Sequence, residues 1–369
     1  MQHDRRWGIE GGVGTTLARH GLGKAAVAAA LETFHLASRA GIGRARRPRA
    51  LIFTLHHVRP AVPAPFAPNA HLEVTPEFLD VALSSLIADG FKPVRLEDLP
   101  EHVRNGNASD SYFAFTLDDG YRNNRDHALP VFKRHNVPHT IFVTRGFVER
   151  THTAWWETAA TLLRDRTSLT YDFGSGQETL TTTTTALKCL AFARLAAAIR
   201  SCHEDDRIEA LNVEARQAGL EPLDFIDREV MDSAELAALV ASEPLVSLGA
   251  HSLTHPSLAH VTPERLHEEL SGSADYIGEI TGKRPEVFAY PYGSVCAAGP
   301  REFAASGTAG FKLAVTTQPG VIDLAGLALA PFSLPRISLN GHFQRARYVR
   351  ALASGLPFRM MKRRSGIEA

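Results

Sequence analysis

Cysteine is scarce. The 369 residues hold three, Cys189, Cys202 and Cys296. Their number is odd and their spacing is not that of a metal knuckle, so a disulfide framework is excluded and the thiols read as structural ones of a reducing compartment. Net charge is also lacking, since Lys+Arg and Asp+Glu both number 40. No basic stripe with interleaved aromatics appears, so no nucleic-acid partner is expected. Long apolar runs are missing too. None reaches the ~20 residues that span a bilayer. The nearest approach to a signal-peptide core, Lys24 to Leu31, is cut off by Glu32 and His35, which makes a cytoplasmic location the default expectation. What is present is ordinary for a globular protein: 44% hydrophobic and 22% charged residues, enough for a sizeable core.

Residues 1–48 read as an extension, with a helix over about Lys24 to Ser38 and a basic knot at Arg44, Arg46, Arg47 and Arg49. The C-terminal residues 346–369 carry a helix and a second basic cluster, Arg359 through Arg364. Such clusters are solvated faces, or contacts between the basic termini and an anionic membrane surface or partner. Between them, residues 49–345 alternate short apolar strands with helices. The strands are Leu51–Leu55, Lys92–Leu96, Tyr112–Phe115, Thr140–Thr144, Leu245–Ala250, Val287–Tyr290, Lys312–Thr316 and Leu334–Leu339. The helices carry clear punctuation. Thr75-Pro76 opens one whose apolar face is Leu79, Leu83, Leu86 and Ile87, Asp232-Ser233-Ala234-Glu235 is a capping box, and Thr262-Pro263 to Gly282 bounds another. A mostly helical stretch at about 155–230 interrupts the alternation as an insertion, and its threonine run Thr181–Thr185 reads as a β-ribbon edge. Strand–helix alternation implies parallel pairing through right-handed crossovers. The fold expected is α/β, a distorted (β/α)7-type barrel with an N-terminal helical extension and a helical insertion. An open doubly wound sheet is the alternative.

Polar residues collect where the strands end: His56, Asp118, Asp119, His251, Tyr292 and Arg336. In a barrel that face hosts the chemistry. Asp118 and Asp119 follow a buried strand directly, and two carboxylates there are costly unless a cation or a raised pKa relieves them. His251-Ser252-Leu253-Thr254-His255 follows another strand. A helical turn over those five residues would put both imidazoles on one side. Asp119, His251 and His255 then make an Asp-His-His set, three protein ligands with a position left for water. The remaining aspartate can take a proton from a water at the metal.

Thr116-Leu117-Asp118-Asp119-Gly120, His251 to His255 and Tyr290-Pro291-Tyr292-Gly293 resemble, in order, the first three motifs of the polysaccharide deacetylases, the nodulation-protein-B-like family (carbohydrate esterase family 4). The resemblance spans roughly Ala50 to Leu339. It implies a distorted β/α barrel, a divalent metal that is usually zinc, and hydrolysis of N-acetyl groups on N-acetylglucosamine-containing glycans such as chitooligosaccharide, peptidoglycan or exopolysaccharide. It implies that Asp118 is the base, that Asp119, His251 and His255 bind the metal, and that the Tyr292 backbone N–H helps hold the oxyanion. The chain departs from the family pattern in places. Leu117 stands where phenylalanine is common. Ala289 stands where many members carry the arginine that orients the base, and Arg336 is the candidate replacement. Leu334-Pro335-Arg336 occupies the region of the usual Leu-x-His acid motif. His56 is the substitute acid or substrate ligand, because Leu55-His56-His57-Val58 resembles the first-strand histidine motif of the exopolysaccharide-deacetylase branch; His57 and His342 are the alternatives. Trp155 and Trp156 either flank a glycan groove or pack in a core. The expected function is metal-dependent N-deacetylation of such a glycan. The alternatives are a deacetylase of a glycolipid or other amide, and a catalytically impaired carbohydrate-binding relative.

Overall fold

The computed structural model describes residues 13–42, 47–201 and 203–364. Its centre is a sheet of eight strands: β1 Ala50–Leu55, β2 Phe91–Pro93, β3 Ser111–Leu117, β4 His139–Val143, β5 Val246–Ala250, β6 Val287–Ala289, β7 Leu313–Val315 and β8 Ile337–Ser338. They run in the order β7-β6-β5-β4-β3-β1-β8, with β2 pairing on β3. Every pairing in this sheet is parallel. The ends of the sheet approach each other through the chain leading into β8, where Leu334 bridges Val315 of β7 while Ile337 pairs with Phe53 of β1. The result is a distorted (β/α) barrel, and the open doubly wound alternative is excluded.

The strand residues are buried on both faces, as parallel strands wrapped by helices must be. Their alternation sorts them into two clusters. Leu51, Phe53, Leu55, Phe113, Phe115 and Leu117 pack against Phe78, Leu79, Leu83 and Leu86 of helix Pro76–Ala88. Ala50, Ile52, Ala114, Phe142, Ala289 and Val315 form the other cluster, which fills the barrel. The inner rows end at Thr54 and Thr116, so polar side chains take over from apolar ones as the strands reach their C-terminal ends.

The helix punctuation falls where expected. Thr75 Oγ1 accepts from Phe78 N at 3.1 Å, and Ile87 lies outside the apolar face, exposed. Asp232 and Glu235 exchange both bonds of the capping box. Thr262 and Gly282 bound the helix Pro263–Thr281. Residues Asn124–Ala128 form a π-helical turn ahead of Leu129–His135, and the C-terminal helix Ala346–Ala353 follows. The insertion is built from helices Trp155–Arg164, Thr185–Ile199 and Glu204–Gln217 around an antiparallel ribbon, Ser168–Asp172 with Gln177–Thr181. The threonine run closes that ribbon and caps the next helix through Thr184 Oγ1.

Both terminal helices are tied to the body of the protein. Helix Val13–Arg39 packs on helix Ala346–Ala353, with Leu31, Tyr348 and Ala351 buried together and Glu32 accepting from Arg347 and Tyr348. This corrects the reading of a solvated extension. Of the basic knot, Arg47 donates to the Asp89 carbonyl and lies over the Phe91 ring, and Arg49 bonds four carbonyls between Val103 and Asp110. Those two side chains bind the protein's own backbone, while Arg44 and Arg46 lie outside the described residues. Cys189 and Cys296 are exposed thiols rather than structural ones, and Cys202 lies outside the described residues. Among the described residues no helix is long and apolar enough to cross a membrane.

Candidate metal centre

Strand register brings the site together. Leu55 pairs with Leu117, and Asp118 N donates to Leu55 O at 3.0 Å, so Asp118 and His56 leave adjacent strands side by side. Val143 pairs with Ala250, and His251 N donates to Val143 O at 3.0 Å. Ala250 in turn pairs with Phe288, which brings the β6 end and Tyr292 beside His251. Asp119 (φ 74°), Ser252 (φ 66°), His255 (φ 62°) and Tyr292 (φ 59°) are all left-handed. Such backbone is costly for residues with a Cβ and persists where the surroundings over-determine it. Gly293 is a glycine of necessity: at φ 59° an added Cβ would sit 2.5 Å from Thr317 N.

Residues 251–255 are not the helical turn that their spacing suggested. Two left-handed residues fold them into a loop, and Ser252 Oγ accepts from His255 N at 2.9 Å. The loop is held from outside by Glu269 of helix Pro263–Thr281, 2% exposed. Its carboxylate accepts from Leu253 N at 2.7 Å, Thr254 N at 2.9 Å and Thr254 Oγ1 at 2.5 Å. Sequence reasoning missed Glu269, although a signal existed. It is a carboxylate on the apolar stripe of Leu266, Leu270, Ser273, Ala274 and Ile277.

Asp119, His251 and His255 converge. Asp119 Oδ1 lies 3.7 Å from His251 Nε2 and 3.6 Å from His255 Nε2, and all three residues are buried. His251 Nδ1 donates to Ala289 O at 2.7 Å, which fixes the tautomer and leaves a lone pair on Nε2. Burial holds both imidazoles below their ordinary pKa, so they are neutral. Lone pairs thus face one another at separations too long for hydrogen bonds. A tetrahedral zinc with bonds of ~2.1 Å keeps its ligand atoms about 3.4 Å apart, close to the separations here. Asp119 Oδ1 has no hydrogen-bond partner among the described residues. Burial first, and then the Asp118 charge, push its carboxyl up to about 8. Neutral imidazoles around a buried carboxyl that needs a nearby positive charge to ionise at neutral pH fit a divalent cation.

Asp118 is held by Arg336, which is fully buried. Arg336 Nη1 donates to Asp118 Oδ1 at 2.7 Å and to Thr116 Oγ1 at 3.1 Å, Nη2 donates to Asp118 Oδ2 at 2.8 Å, and Nε donates to Thr316 O at 2.9 Å. Burial alone would raise the Asp118 carboxyl, but the Arg336 guanidinium outweighs it and holds the group well below the usual carboxylate range. One aspartate is therefore held ionised and its neighbour is held ready for a cation. His56 Nε2 lies 3.9 Å from Asp118 Oδ2, with its side chain 20% exposed. Burial lowers its pKa to about 4 against the pull of Asp118, so it is neutral at neutral pH. His57 turns away, stacked on Tyr121 at 3.8 Å and bonded through Nδ1 to Asn123, and His342 is an exposed loop residue.

Tyr292 packs edge-on against His255, with ring centroids 5.0 Å apart. Its backbone N–H makes no hydrogen bond to another backbone group among the described residues. Trp155 and Trp156 are buried in the insertion's core, so neither flanks an open groove. Trp156 and Phe147 wall His255, at 5.1 and 5.4 Å between centroids.

Residues 105–306, more than half of the chain, match the model of the polysaccharide deacetylase family. The chain belongs to that family, and it is a deacetylase hydrolase. Two solved structures share the fold. PplD, a deacetylase of Streptococcus pyogenes solved in complex with acetate, is 17% identical with a TM-score of 0.52, the match covering 80% of this chain and 94% of that one. BC0361, a polysaccharide deacetylase of Bacillus cereus, is 15% identical with a TM-score of 0.51, the match covering 83% of this chain and 69% of that one. No curated protein matches the sequence.

Proposed function

We propose that the protein is a metal-dependent N-deacetylase of an N-acetylglucosamine-containing polysaccharide or chitooligosaccharide. The observation that carries this reading is the division of labour between neighbours: Asp118 is ionised in the grip of Arg336, and Asp119 faces two neutral histidines. We assign Asp119, His251 and His255 as metal ligands. A set of two histidines and one carboxylate suits zinc, though the same donors also take other divalent ions. A cation held by these three residues would supply Lewis acidity for the acetyl carbonyl and lower the pKa of a nearby water toward neutrality. Asp118 accepts the proton of that water, and Arg336 keeps the carboxylate turned toward the site. The Tyr292 N–H meets the charge that develops on the acetyl oxygen. His56, neutral before turnover, hydrogen-bonds the substrate and carries the proton from Asp118 to the departing amine. Acetate, the molecule held by the streptococcal relative, is the acid this reaction would release.

Acetate release from N-acetylglucosamine oligomers and from acetylated polysaccharide tests the reading, with the metal stripped and restored. We expect release that a chelator abolishes and zinc restores, and Asp119→Ala protein that neither holds metal nor releases acetate. Metal and glycan binding without acetate release on any N-acetyl substrate would overturn it in favour of a binding relative.

A further inference from the structure

The insertion reaches into the site through one side chain. Glu204 opens helix Glu204–Gln217 and is 8% exposed although it is a carboxylate in the first turn. One oxygen, Oε1, accepts from the Tyr292 hydroxyl at 2.5 Å, and the other, Oε2, accepts from the Ser257 backbone N–H at 2.7 Å. The Tyr292 hydroxyl also accepts from Trp155 Nε1 at 2.7 Å. A second insertion helix therefore joins the same junction.

The two clamped points flank the metal centre on different loops. Ser257 is two residues beyond His255, and Tyr292 carries the backbone N–H assigned to the oxyanion. Tyr292 is left-handed, a conformation that is costly for a residue with a Cβ and needs outside restraint. Its carbonyl is held by Thr317 Oγ1 at 2.6 Å and its side chain by Glu204, so the residue is pinned at both ends while its N–H stays free of the backbone. Charge-assisted bonds to a buried carboxylate are about twice as strong as neutral ones, which suits them to this restraint.

We propose that Glu204 is a positioning residue for the deacetylation, locking Tyr292 and the chain after His255 into register so that the Tyr292 N–H points at the developing oxyanion. It touches neither substrate nor metal; it acts through the tyrosine ring and the 255–257 loop. The insertion is then part of the catalytic unit rather than a decoration on the barrel. This inference rests on the deacetylase reading above.

Four variants test it: Glu204→Ala, Tyr292→Phe, the double variant and Glu204→Gln. A misplaced catalytic group costs up to about 100-fold, so we expect Glu204→Ala to lower kcat by about 10- to 100-fold with KM within about twofold of the parent. Tyr292→Phe should do the same. The double variant should be no slower than the worse single one, because both break one linkage. Glu204→Gln keeps one acceptor oxygen and should recover part of the loss. Additive losses in the double variant would overturn the proposal, as would a raised KM at constant kcat. Hydrogen exchange gives a readout that needs no substrate. In Glu204→Ala the amides of 257 and 293, both hydrogen-bonded in the parent, should exchange faster at an unchanged global unfolding midpoint, and unchanged exchange there would overturn the proposal. If the parent protein released no acetate from any glycan, the deacetylase reading would fall, while the exchange measurement would still decide whether Glu204 holds these two loops.

Discussion

Arg336 and Asp118 show how little of a site's logic lies in a motif. The family pattern has its orienting arginine near position 289, where this chain has alanine. Here the guanidinium comes from the segment just before β8, between β7 and β1, and its fork spans both oxygens of Asp118. The swap is sterically coherent. Ala289 keeps only its carbonyl in play, as the acceptor that fixes the His251 tautomer. Phe142 lies below the guanidinium, 5.8 Å from its carbon to the ring centroid. Because both partners are buried, removing one leaves the other uncompensated at about 3–5 kcal/mol. Arg336→Ala should therefore destabilise the fold by roughly that amount. It should also lower kcat by at least about tenfold while zinc content, measured on the folded fraction, stays at the parent level. Arg336→Lys, which replaces a fork by a point charge, should recover stability better than rate. Parent-level turnover in Arg336→Ala would show that the base is oriented by something else.

At the scale of elements, legibility followed locality. Helix Pro263–Thr281 announces itself because its cap, first-turn proline and terminal glycine act within a few residues of one another. The 251–255 loop misled because a four-residue spacing is shared by a helical turn and by a loop with two left-handed residues. What selects the loop is Glu269, far along the next helix, through bonds to two backbone N–H groups. Trp155 and Trp156 were ambiguous for the same reason, since nothing local tells a groove wall from a core. Glu204 carried no signal at all, because its partners lie 53 and 88 residues away. The N-terminal helix is the largest such case. Its sequence gives a helix but not what it packs on, and the partner is the helix Ala346–Ala353. Leu31 fills that contact, so Leu31→Ala should cost about 2–3 kcal/mol in denaturant unfolding, where a solvated helix would lose under about 0.5 kcal/mol. An unchanged midpoint would return the helix to the status of an extension.

For the molecule as a whole, the barrel separates two tasks along its axis. The C-terminal strand ends hold strained backbone, paired charges and the candidate cation ligands, while in such barrels the opposite end serves stability. His139 stands at that opposite end, at the start of β4, stacked on Phe132 at 4.1 Å, with neither ring nitrogen hydrogen-bonded among the described residues. Burial, opposed by the nearby Val137 backbone and helped by the Arg95 charge, lowers its pKa to about 3. The folded protein thus keeps the ring neutral, whereas the unfolded chain protonates it near 6.5. A pKa depressed by folding means that the unfolded state binds the proton first, so stability is intact above 6.5 and falls as the pH drops toward 3. Each pH unit of that interval is worth about 1.4 kcal/mol. His139→Leu removes the titration while keeping an apolar side chain against Phe132. The parent should therefore lose about 2 kcal/mol more than the variant between about pH 7 and pH 5 in urea titrations. Running both proteins without metal keeps the Asp119 site from contributing to the difference. Parallel pH profiles for the two proteins would show that His139 is solvated or bonded in the native state, and that acid lability arises at the metal end of the barrel instead.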